Sequence, residues 1–163
     1  MKMSKVFPVI LAAFLFVPRA SLMAGIRRDV PNDMDLELGG RCLLYSFSYQ
    51  RMLAEPFGLQ AGVSMIGGGS SGGSSSILFV SVGGKAYFLP GNASPFLGGG
   101  LVTVTSSTTA GPFSSGASGV YGYVNPGFEY RSDSGFLVRG SVYTLFAGDA
   151  FFVWPGLSIG LAF

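Results

Sequence analysis

The sequence predicts an all-β chain. It reads as an antiparallel up-and-down transmembrane β-barrel of eight strands, following an N-terminal signal peptide. Three observations carry this expectation. The 163 residues are 48 % apolar and only 11 % charged, against about 25 % charged in an ordinary soluble domain. Apolar residues recur at every second position over stretches of about ten residues, the length a tilted membrane strand needs. Turn residues separate these stretches, and no helical apolar stripe appears after the leader.

The amino terminus reads as that leader. Lys2 and Lys5 precede an apolar run from Val6 to Val17, and small residues follow around Ala20 to Gly25. This is the order of regions in a secretory signal. The run is too short for a membrane helix, which takes about twenty residues. Residues 1–24 are expected to be removed, with cleavage after Ala24. Ile26 stands where a lipoprotein box would need cysteine. Residues 25–33 then form a lead-in, and residues 34–163 the barrel. The single Cys42 can form no internal disulfide.

The first expected strand is short, with Met34, Leu36 and Leu38 on one face and Asp35 and Glu37 on the other. Gly39-Gly40 turns the chain into the next strand. There Leu43, Tyr45, Phe47 and Tyr49 alternate with Leu44, Ser46, Ser48 and Gln50. Phe57, Leu59, Ala61, Val63 and Met65 alternate with Gly58, Gln60, Gly62 and Ser64. Leu78, Val80, Val82 and Ala86 alternate with Phe79, Ser81, Gly83, Lys85 and Tyr87. Residues 95–105 read as a strand whose facing is obscured by Gly98-Gly99-Gly100. Val124, Pro126, Phe128 and Tyr130 oppose Asn125, Gly127, Glu129 and Arg131. Phe136, Val138 and Val142 oppose Leu137, Arg139, Ser141 and Tyr143. In the last segment Phe151, Val153, Pro155, Leu157, Ile159, Leu161 and Phe163 face one way, and Gly156, Ser158, Gly160 and Ala162 the other. Connections at residues 54–56, 91–94 and 132–135 are short. Those at residues 67–76 and 106–118 read as longer, flexible Ser/Gly loops, so short turns lie at one end and loops at the other.

Charge decides which face meets lipid. A soluble barrel would cover its outside with Lys and Glu. Here the mid-strand charges Glu37, Lys85, Glu129 and Arg139 share the small, polar face, which places them in the lumen. A Lys or Arg facing lipid at mid-membrane costs roughly 2–4 kcal/mol. A three-residue hairpin loop, Asp133-Ser134-Gly135 with a left-handed glycine, sets Glu129 directly opposite Arg139. The two are expected to form a lumenal ion pair, with Arg131, Lys85 and Glu37 near them as a structural charge cluster. Tyr49, Phe57, Phe88, Phe96, Phe128, Tyr130, Phe136 and Phe163 are expected to form an aromatic girdle at the short-turn end. Without the leader's Lys2, Lys5 and Arg19, seven basic residues face eight acidic ones. No basic patch remains for nucleic acid.

The closing alternation of Leu157, Ile159, Leu161 and terminal Phe163 resembles the C-terminal strand of outer-membrane β-barrels, which the barrel-assembly machinery reads. The mature chain as a whole resembles the small eight-stranded barrels of the outer-membrane protein A type. The segment from Leu44 to Arg51 resembles the first hairpin of barrels of Bacteroidetes-type genomes. The resemblance implies a fold, a bacterial outer-membrane location and an assembly route. It implies no activity.

Other motifs carry little. Gly156-Leu157-Ser158-Ile159-Gly160 matches the nucleophile elbow, but no helix follows it and the chain contains no His. Asp33, Asp35 and Glu37 lack the spacing and glycine of a calcium loop and read as a solvated rim. Asn92-Ala93-Ser94 reads as turn chemistry rather than a glycosylation site. No catalytic, metal or cofactor site is expected. The expected protein is a monomeric outer-membrane barrel in lipid with a structural or surface-interaction role. A narrow, porin-like channel or apolar-ligand conduit is the alternative, and an envelope lipid-modifying enzyme a more distant one.

Overall fold

The computed structural model describes residues 26–54, 56–70, 73–110 and 113–163. The expected leader, residues 1–24, lies outside them. A single helical turn α1 (Ile26–Asp29) precedes β1 (Asn32–Gly39), and a 3-10 turn (Gly40–Cys42) leads into β2 (Tyr45–Ala54). There follow β3 (Phe57–Ser70), β4 (Gly73–Tyr87), β5 (Ala93–Ala110), β6 (Phe113–Arg131), β7 (Phe136–Ala147) and β8 (Ala150–Ala162). All eight strands pair antiparallel with their sequence neighbours, and β8 returns to β1, closing the barrel.

Closure follows from the period-two pattern. A strand with one apolar and one small polar face must turn the two to different environments, and a closed ladder leaves no edge unpaired within the barrel wall. The burial is inverted relative to a soluble protein. Ser46, Gln50, Ser81, Glu129, Arg131 and Arg139 are buried, while Met34, Phe47, Leu59, Leu101, Leu157 and Ile159 are exposed. The lumen is narrow enough for neighbouring side chains to fill the gaps left by glycine. A side chain at Gly100 would strike the Val82 carbonyl and lie 2.8 Å from the Tyr123 hydroxyl. One at Gly156 would lie 2.7 Å from the Tyr143 ring.

The structure corrects four expectations. Residues 67–76 and 106–118 are mostly strand rather than flexible loop: Gly67 pairs with Ser76, Ser106 with Ala117, and Thr108 with Ser115. Their polarity reports exposure to water, and cross-strand hydroxyl contacts such as Ser76 to Ser107 (2.9 Å) sustain the ladder. Leu44 does not face the lumen but is exposed, because Leu43 adopts a positive φ of 72° just before β2 begins. Phe96 leaves the expected girdle and packs inside, 2 % exposed, against Tyr87. Asp33 and Asp35 are buried rather than on a solvated rim, since their alternation with Met34 and Leu36 continues the inner face. The ambiguous β5 turns Phe96 and Val102 inward and Leu101 outward.

Strand length is uneven. β2 meets β3 only as far as Phe47↔Val63, and β7 meets β6 only from Phe146↔Gly122. Beyond those points β3 to β6 continue as a four-stranded sheet that rises above one half of the barrel. Among the described residues, its two flanking strands are paired on one side only there.

Candidate functional site: the lumenal charge network

The β6–β7 hairpin positions the centre of the lumen. Ser132 donates its N–H to the Phe136 carbonyl (2.8 Å), Gly135 takes φ 87°, and residues 133–135 form the loop. This register sets Glu129 opposite Arg139, and the Arg139 Nε lies 2.5 Å from a Glu129 oxygen. Arg139 also reaches Asp35 (2.6 Å) and Asp33 (2.8 Å) on β1, across the seam from β8. Arg131 holds the other oxygen of Asp33 (2.6 Å) and lies 3.4 Å from Glu129. The Tyr87 hydroxyl donates to Glu129 (2.7 Å) and accepts from Gln50 (2.9 Å). Such groups are stable away from water only when paired and hydrogen-bonded, and here the pairing is extensive.

Arg27 of α1 enters this network from outside the strands. Its Nε lies 3.0 Å from Glu129, its Nη1 donates to the carbonyls of Gly91 (2.8 Å) and Leu89 (3.2 Å), and its guanidinium lies 4.5 Å from the Tyr87 ring centre. The lead-in thus caps the short-turn end. A second cluster lies further up the lumen. Glu37 accepts from Arg41 (3.0 Å) and from the Tyr143 hydroxyl (2.5 Å), and Arg41 also donates to Ser48 (2.8 Å). Above it, Cys42, Phe79, Val102, Tyr123, Tyr143 and Leu145 pack as an apolar plug. The Trp154 indole pins the unusual Leu43 backbone by donating to its carbonyl (2.8 Å), and the Tyr121 hydroxyl donates to the Arg41 carbonyl.

Of the residues singled out from the sequence, Glu129, Arg131 and Arg139 share one network, and Glu37 belongs to the second. Lys85 faces the lumen, 5 % exposed, but makes no ion pair or hydrogen bond among the described residues. Its Nζ lies 5.2 Å from the Phe96 ring centre. Leu157, Ile159, Leu161 and Phe163 all project outward. Ser158 lies in strand, paired with Glu37 and Arg139, with none of the geometry of a nucleophile elbow. Ser94 bonds the Leu89 N–H (3.0 Å), and Asn92 donates to Asp133 (2.7 Å), so this triplet works as turn chemistry. Sequence reasoning missed Arg27 and Arg41, which lie outside the strands and carry no periodic signal. It undervalued Asp33 and Asp35, whose parity with Glu37 was the available signal.

No protein-family model matches the chain, and no curated protein matches it. Solved structures do. The N-terminal β-barrel domain of Pseudomonas aeruginosa OprF is 13 % identical, with 81 % of this chain and 95 % of that one covered, at a TM-score of 0.62. Ail, the attachment invasion locus protein of Yersinia pestis, solved with the heparin analogue sucrose octasulfate, is 13 % identical over 82 % of this chain and 94 % of its own, at 0.55. Neisserial surface protein A is 12 % identical over 80 % and 91 %, at 0.50. With its closed ring of eight antiparallel strands, the chain has the fold of the small outer-membrane β-barrels.

Proposed function

We propose that the protein is an integral barrel of the bacterial outer membrane with a structural or surface-interaction role and no catalysis. The inverted burial carries the location: charges and amides fill the interior while large apolar side chains are exposed around the wall. Lipid is the partner this wall requires. The outward Leu157, Ile159, Leu161 and terminal Phe163 present the alternation that the assembly machinery would read. The barrel is proposed to act as a monomer.

The surface role rests on the rising sheet of β3 to β6. Ail was solved with a sulfated ligand, yet this sheet has no charged residue between Pro56 and Phe128 other than the lumenal Lys85. Capture of a sulfated chain therefore does not suit it. Its hydroxyls and one-sided strand edges suit a neutral partner bound by hydrogen bonds. A second reading, an apolar-ligand site, is favoured by one observation. Leu43, Tyr121, Leu145, Phe151 and Phe152 line an apolar cleft of about 220 Å³ at the mouth. The plug beneath it opposes a conduit.

Envelope fractionation and gel mobility with and without heating test the main reading. The unheated protein is expected in the outer-membrane fraction with shifted mobility, and recovery as a soluble periplasmic protein would refute it. A cysteine at exposed Ser107, in a Cys42→Ala background, should react with an impermeant maleimide on intact cells.

A further inference from the structure

We infer that the foot of the rising sheet is a composite docking site for an extended, uncharged peptide segment of another protein. The segment adds as a strand to the β6 edge and seats one large apolar side chain in the cleft beside Tyr121. The inference rests on the reading of this sheet as a surface for a neutral partner, and narrows it.

The edge has a defined polarity. Along β6 the odd-numbered residues bond to β5, as Arg131 does in donating to the Asn92 carbonyl (2.7 Å). The even-numbered ones bond to β7, as Ser132 does just beyond the strand in donating to Phe136 (2.8 Å). The β7 ladder stops at Gly122↔Phe146. Above it, Ser114, Gly116, Ser118 and Val120 turn N–H and C=O groups to the open side, where no described residue pairs with them. Such edges are ordinarily guarded by lysine, proline or a bulge. Residues 113–125 contain no charged residue and no proline. The opposite flank differs, because the Tyr45 hydroxyl donates to the Met65 carbonyl at its foot.

The cleft is the independent observation. Tyr121 and Ala147 are the residues next above the last β6–β7 pair, and both line it, with Leu145, Phe151 and Phe152. The cleft therefore begins where the ladder ends. Tyr121 and Leu145 share the lumenal parity of buried Tyr123 and Tyr143. A strand laid along β6 sends alternate side chains to that same side, so its lowest inward residue falls over the cleft. The volume of about 220 Å³ takes one leucine or aromatic side chain. Phe151 is 71 % exposed there, so covering it removes apolar surface from water. A lipid chain could fill the cleft but offers the edge no hydrogen bonds. A peptide satisfies both, with its backbone on the edge and a side chain in the cleft.

Displayed random nine-residue peptides, selected on the folded protein in detergent, test this. Selection should enrich strand-forming, uncharged sequences with one large apolar residue. A synthetic peptide of the enriched sequence should change the emission of Trp154, the only tryptophan, saturably, because Trp154 stacks on Phe152 at 5.4 Å. Ser118→Pro removes one open-side N–H without touching the β5 ladder, and should weaken binding roughly tenfold. Gly116→Pro repeats that test one pair higher. Ala147→Phe, at an exposed position, fills the cleft and should weaken binding by roughly tenfold or more. The heat-dependent gel shift checks that each variant is folded. Binding lost in the proline variants but unchanged in Ala147→Phe would overturn the composite site while leaving a neutral sheet-edge surface standing. A saturable Trp154 response to palmitate that the proline variants leave intact would assign the cleft to an acyl chain and overturn it. Self-association of the parent abolished by Ser118→Pro would make the occupant a second copy, overturning it equally. Failure to enrich any common peptide would overturn both the site and the neutral-partner reading beneath it.

Discussion

Replacing Glu129 by Gln tests the lumenal network at its hub. The substitution keeps the shape and removes one negative charge. It leaves the guanidinium groups of Arg27 and Arg139, at 3.0 and 2.5 Å, facing a neutral amide, with Arg131 at 3.4 Å. The amide's NH2 would also point donors at donors. Removing one partner of a buried pair costs about 3–5 kcal/mol. Asp33 and Asp35 remain to hold Arg131 and Arg139, so the lower part of that range is expected. That corresponds to on the order of a hundredfold in the folding equilibrium. Urea titration of the folded barrel in lipid vesicles, read by the heat-dependent gel shift, measures it. Arg139→Met alone should be similarly costly. The double variant should fall short of the sum by roughly 0.5–3 kcal/mol, because the two groups share one interaction. A Glu129→Gln variant within about 0.5 kcal/mol of the parent, or strictly additive costs, would refute the role assigned to the network.

Leu157→Arg places a charge on the outer wall and should lose about 2–4 kcal/mol, visible as a large fall in the assembled fraction; Ser158→Ala, one residue away in the lumen, should assemble nearly normally. Gly100→Ala should destabilise by about 1–3 kcal/mol through overpacking against Val82 and Tyr123. Gly119→Ala meets nothing within 4 Å and should be neutral or stabilising by the same unfolding assay. Arg27→Met should release the lead-in, so that limited proteolysis near residues 26–31 speeds up while the barrel itself stays resistant.

Much of this architecture was legible because a barrel wall has a strict period of two. Glu129 and Arg139 could be paired from parity and one hairpin loop, since Gly135 supplies the left-handed residue that loop needs. Asp33 and Asp35 carried the same signal, but a short strand near the chain start makes a buried face hard to tell from a wet rim. Phe96 was misplaced because the adjoining glycines carry no side chains to mark a face. The rising sheet was hidden for a different reason. Ser, Thr and Gly report solvent on both faces, and only the hydrogen-bond ladder distinguishes a polar strand from a polar loop. Arg27 and Arg41 reach the lumen through a helical turn and a 3-10 turn, where no repeat exists to read.

The carboxylates of β1 also govern how the ring can close. β1 and β8 lie at opposite ends of the chain and meet last along the sequence, and their ladder could in principle slip by one residue. Such a slip would turn Asp33, Asp35 and Glu37 together toward the outside, away from Arg131, Arg139 and Arg41. Three carboxylates on alternate residues therefore act as a key for the seam. They exclude the odd-residue slips that would part the first strand from the arginines of the later strands, and an otherwise repetitive, low-information wall gains a fixed facing where it shuts.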